Sequence, residues 1–151
     1  MVKALLNKLL FCETLEQASS AAKAVNVSSS KWINILYGRT KHYYGKGIAV
    51  TIFTISKIRW KSTQACFASQ LRIQHACRQF CADYSPRRDF PKQIIVWGDN
   101  RYWKKLEEAE YMVRPFCDTS FLMQIDGNTM AQVLLVFFNL WKHLLGFGSK
   151  K

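Results

Sequence analysis

The sequence predicts a mostly α-helical chain with one β-strand region. Apolar residues recur at three- and four-residue steps along most of its length, and the 151 residues include only three prolines and seven glycines. A single run, Ile48 to Ile55 (IAVTIFTI), is dense in β-branched side chains and is bounded by Gly47 and Ser56.

Ala4, Leu5, Leu9 and Leu10 set the helical rhythm at the start, and Ala18, Ala21, Ala22 and Val25 continue it with no intervening proline. Ser28, Ser29 and Ser30 are N-cap candidates for a second helix through Trp32, Ile35 and Leu36 that frays at Gly38. The run KHYYGKG, Lys41 to Gly47, reads as a loop, and the strand follows it. A lone strand has to pair with a sheet supplied by another chain or by a missing part of this one. Ser62 is placed to cap a long helix ending at Tyr84, with Phe67, Leu71, Cys77, Phe80, Cys81 and Tyr84 along its apolar stripe. Ser85 to Gly98, with two prolines, reads as a linker. Asp99 or Asn100 opens a helix through Trp103, Leu106, Met112, Val113 and Phe116, which Pro115 should kink or end. Asp126 or Asn128 caps a last helix from Met130 to Leu145, and Gly146 stands as its stop.

Charge narrows the function. The chain carries 22 Lys and Arg against 10 Asp and Glu, and Gln17 to Ala82 holds ten basic residues and no acidic one. Such a block attracts polyanions, so nucleic acid or an anionic surface is the expected partner. The five cysteines are odd in number and irregularly spaced, and no leader-like segment opens the chain, which fits a reducing, intracellular compartment. Met130 to Phe147 is interrupted by Gln132, Asn139, Lys142 and His143 and falls short of the ~20 apolar residues that span a bilayer. No membrane partner is expected.

Three constellations have bland readings that outweigh their chemical ones. His75, Cys77 and Cys81 could suggest zinc, but the two thiols lie one turn apart on an apolar face, which favours buried free cysteines. Glu107, Glu108 and Glu110 beside Lys104 and Lys105 read as solvated helix pairs. The last helix is apolar nearly all round, so it should be buried in a larger body or a subunit contact. No GxSxG, Walker loop, HExxH or paired CxxC occurs, so no enzyme site and no cofactor is expected. Lys57, Arg59 and Lys61 flank Trp60, and that pattern suits phosphate neutralisation beside a ring that can stack an unpaired base. The same tryptophan could equally anchor a core.

The strand, then IRWKS at 58 to 62, then QACFASQLRIQHACRQF resembles the stretch of hAT-superfamily transposases in which a strand ends at a TRWNS-like motif. SSSKWINIL and YYGKG upstream, and YWKKLEEAEYMVRPF with the Asp-Gly-Asn-Thr helix start downstream, resemble the family's flanking segments in the same order. This chain has Ile58 where the family has threonine and Lys61 where it has asparagine. The resemblance implies a partial ribonuclease-H-like segment over residues 1–56, helices and one strand that is the last of the sheet, and part of an all-α insertion domain over 57–151. It implies a stacking role for Trp60 with Arg59 beside it. It also puts the family's three catalytic carboxylates, and the Mg or Mn ions they hold in the intact parent, outside this stretch. The expectation is a truncated or relic transposable-element segment that contacts DNA in the nucleus through Lys57, Arg59, Trp60, Lys61, Lys41 and Lys46 without cleaving it. Self-association, or pairing with missing parts of the parent, is the other expected partnership. The alternative is an independent small basic helical protein that binds nucleic acid or an anionic surface.

Overall fold

The computed structural model describes residues 2–27, 31–45, 52–55, 60–124 and 127–149, with side chains described for 11–27, 31–45, 52–55, 61–124, 127–143 and 145–146. The described residues form six α-helices: α1 (Val2–Val27), α2 (Lys31–Tyr44), α3 (Trp60–Arg72), α4 (Gln74–Tyr84), α5 (Asn100–Met123) and α6 (Met130–Ser149). A 3-10 helix, Lys92–Gly98, joins α4 to α5.

The expected sheet strand, and with it the partial ribonuclease-H-like sheet, is overturned: there is no strand among the described residues. Ile48 to Thr51 lie outside them, and Ile52 to Ile55 run without sheet pairing. Two polar side chains occupy backbone groups that a ladder would have used. Asn26 Nδ2 donates to the Ile52 carbonyl at 2.9 Å, and the Phe53 N–H donates to Ser69 Oγ at 3.2 Å. Ile52, 3% exposed, then drops into the helical core, so its β-branched shape is met by helix side chains.

Why the helices meet follows from their faces. Ala18, Ala21, Ala22 and Val25 on α1 are fully buried, and such small side chains let α3 and α5 approach closely. Trp32, Leu36 and Thr40, one turn apart, turn α2 onto α4, and Thr40 Oγ1 donates to the Leu36 carbonyl at 2.9 Å. Around Trp32 stand Phe90, Phe80 and Tyr84, with ring centroids 5.3 to 5.9 Å away and near-perpendicular planes. Helices from both sides of residue 56 share this one core.

Several boundaries differ from the expected ones, each for a local reason. The long helix from Ser62 to Tyr84 breaks at Ile73, whose N–H donates to the Gln70 carbonyl at 3.1 Å and whose side chain is buried. That break lets α3 face α1 and α5 while α4 faces α2 and the 3-10 helix. Instead of fraying at Gly38, α2 continues through Lys41 and Tyr44 to Gly45, which at φ +74° takes the left-handed position that ends a helix. The supposed linker from Ser85 to Gly98 supplies Phe90, Ile94 and Trp97 to the core. Asp99 caps α5 as expected, accepting from the Arg101 N–H at 2.8 Å, and α5 continues through Pro115. At α6, Thr129 and Gln132 cap the start reciprocally: the Thr129 N–H donates to Gln132 Oε1 at 2.7 Å, and the Gln132 N–H to Thr129 Oγ1 at 3.3 Å. Gly146 does not stop α6. Asn128, expected as a cap of α6, instead donates from Nδ2 to the Leu122 carbonyl, and Asp126, the alternative, falls outside the described residues with Ser28 to Ser30.

The centre of the core is polar. Gln70, fully buried, donates from Nε2 to the Ala18 carbonyl at 2.9 Å. Its Oε1 accepts from Trp97 Nε1 at 3.0 Å and from the Tyr102 hydroxyl at 2.7 Å. One amide thus ties α1, α3, the 3-10 helix and α5 together. Burial there pushes the Tyr102 hydroxyl far above its usual range, so it stays a donor at any ordinary pH.

Candidate nucleic-acid interface

Of the six residues expected to touch DNA, Lys46, Lys57 and Arg59 lie outside the described residues. Trp60 is the first residue of α3, and its side chain is likewise outside them. Lys61 is exposed on the first turn of α3, near enough to Cys117 of α5 to act on its thiol. Lys41 is exposed on the last turn of α2. The structure therefore puts Lys41 and Lys61 on different helices with different neighbours.

At the C-terminal end of α2 the chain forms an open groove of about 1110 Å³, lined by Tyr43 and Tyr44 from α2, by His75, Arg78 and Gln79 from α4, and by Asp99. His75, Arg78 and Gln79 recur at three- and four-residue steps opposite the apolar stripe of α4, which is why they share the groove wall. Tyr43 is 47% exposed, and the rings of His42, Tyr43 and Tyr44 follow one another at 5.7 and 6.4 Å. The Tyr43 hydroxyl reaches Gln79 Oε1 at 3.5 Å, and Gln79 Nε2 donates to Asp83 Oδ1 at 2.8 Å, so the wall is braced. Arg78 Nη2 donates to Asn100 Oδ1, which fixes its guanidinium at the groove margin. The acid in this lining, Asp99, is already engaged as the cap of α5. The sequence pointed to this place through KHYYGKG; the contribution of α4 was legible only as the polar face of a helix.

Part of the positive block is compensated by acids from beyond it. Arg39 pairs with Asp83 at 2.6 Å, and Lys31 with Asp89. Both pairs are partly exposed, so they are worth little energetically and leave the field positive. Glu107 and Glu108 are exposed as expected, but Glu110 is buried at 3% exposure and is held by Gln64 at 2.9 Å and by Arg114 at 2.6 and 3.0 Å. It serves as a structural ion pair with no free oxygen facing a cleft.

The buried cysteines lie in the core. Desolvation pushes Cys66 up to about 11 and raises Cys77 and Cys81, and Cys77 is raised further by Cys81 beside it. Such thiols stay protonated at neutral pH and are poor nucleophiles. His75 is exposed at the groove, whose lining Cys81 also reaches, while Cys77 is buried on the far side of α4. No helix among the described residues is long and apolar enough to cross a membrane.

Among the described residues the fold is helical, with an open groove lined by Tyr43, Tyr44, His75 and Arg78. No protein-family model, no characterised protein and no solved structure matches the chain.

Proposed function

We propose that this chain is a small basic helical protein that contacts nucleic acid through charge and ring stacking and does not cleave it. The observation that carries the reading is the groove at the end of α2, where exposed Tyr43 shares the wall with His75 and Arg78 and Lys41 lies on the same last helical turn. Lysine and arginine neutralise phosphates, and a tyrosine face accepts an unpaired base of any sequence. The hAT-type resemblance supports the same activity and adds an origin, a relic transposase segment whose residues 57–151 descend from the helical insertion. Under that reading the partner is DNA, the compartment is the nucleus, and Trp60 with Arg59 forms a second stacking point.

Binding titrations test the proposal. With about five phosphates contacted, log K should fall against log[salt] with a slope of roughly −4.5. An affinity indifferent to salt would refute the electrostatic basis. Tyr43→Ala should weaken binding to single-stranded or bulged DNA by ~1 to 3 kcal/mol and leave plain duplex nearly unchanged. Trp60→Ala should show the same selectivity if the family's stacking role carries over. Equal losses on both DNAs by variants that circular dichroism finds folded would remove stacking and leave charge alone.

A further inference from the structure

We infer that α6 is the contact helix of a homodimer. Its residues divide into three faces. Val133, Val136, Leu140 and His143 are half-buried and turn toward α5. Gln132, Asn139 and Lys142 form a polar strip that also carries Leu135, 59% exposed. On the third face Met130, Leu134, Phe137, Phe138, Trp141 and Leu145 recur at steps of four, three, one, three and four, and are 50 to 75% exposed. A helix with two apolar faces packs fully only when a second partner covers the outer one.

Three features favour a second copy as that partner. The outer face holds no charged residue of its own, and the cation at its margin, Lys142 over the Phe138 ring, leaves a two-fold axis through Leu134, Phe137 and Trp141 free of like-charge contact even though each chain is +12. Its six side chains offer on the order of 700 Å² per copy, close to the ~800 Å² per partner of a standard interface. Central aromatics with a polar margin are the composition that concentrates binding energy in such contacts. A lipid surface fits less well, because membrane-binding helices line their polar face with lysine and arginine, and here that strip holds the single cation Lys142, drawn over the Phe138 ring at 4.7 Å.

Sedimentation equilibrium of the full chain over roughly 1 to 100 µM should give a species of twice the 17.5 kDa chain mass. Leu134→Asp and Trp141→Asp should each weaken the dimer about 30-fold or more, with unchanged circular dichroism and melting of the monomer, since both side chains already face solvent. Asn139→Asp, on the polar strip, should leave the dimer intact. A wild-type monomer at the highest concentration, open-ended assembly beyond two copies, or a dimer untouched by the aspartates would each overturn the assignment. So would a wild-type monomer that co-pellets with phosphatidylserine vesicles and shifts its tryptophan emission to the blue, which would make lipid the occupant.

Discussion

Replacing Gln70 with leucine should destabilise the fold by about 3 to 5 kcal/mol, a large share of the ~5 to 15 kcal/mol that holds a domain of this size together. The leucine fills a similar space and gains apolar burial, but it strands the Trp97 N–H and the Tyr102 hydroxyl, both deeply buried, each at about 1 to 3 kcal/mol. The Ala18 carbonyl also loses the amide donor and keeps from α3 the longer Cys66 thiol contact at 3.9 Å. Tyr102→Phe removes one of these groups and should cost less, about 1 kcal/mol, because Gln70 Oε1 keeps its bond from Trp97. The double variant should therefore lose less than the two single losses added together, the mark of residues sharing one network. Urea unfolding at constant m-value measures all three. A Gln70→Leu loss under 1 kcal/mol, or strict additivity, would show that the amide does not organise the core.

The second large effect is expected at Trp32, where truncation to alanine should cost about 3 to 5 kcal/mol. Its indole is 4% exposed and meets three aromatic rings edge-on, each pair adding up to about 1 kcal/mol beyond burial. Lys31 at 4.7 Å and Arg87 at 5.8 Å lie over the same ring, so the closure of α2 onto α4 loses cation contacts as well. Trp32→Phe should recover part of the loss. Tyr43→Ala, on the same helix but facing the groove, should change stability by only ~0.5 kcal/mol. Thermal melts that rank the two sites the other way would contradict the packing described for α2.

What the sequence made legible was the set of faces. The alanine row of α1, the cysteine and aromatic stripe of α4, and Asp99 at the head of α5 all follow from local spacing and capping chemistry. Partners were not legible. Gln70 on a helix reads as surface, because nothing local announces that Trp97 and Tyr102 will converge on it from 27 and 32 residues away. The β-branched run at 48 to 55 carries a real extended preference, yet in its described part Ile52 and Phe53 give their backbone groups to Asn26 and Ser69 without a sheet. Phe90, Ile94 and Trp97 were overlooked because three apolar residues in an aperiodic, proline-bearing stretch set no rhythm. The groove was half visible: its tyrosines stand in a basic run, while His75, Arg78 and Gln79 needed the break at Ile73 to bring α4 against α2.

The reach of α1 bears on how the protein is made. Its buried face is covered by α3, the 3-10 helix and α5, and its Glu13 meets Lys105, 92 residues further on. A chain emerging from the ribosome at about 5 to 20 residues per second exposes those alanines and Phe11 for several seconds before α5 arrives to cover them. During that interval α1 is a nascent helix with its apolar side open, the kind of surface that chaperones hold. Synthesis halted before Asn100 would leave that side without the helix that closes it.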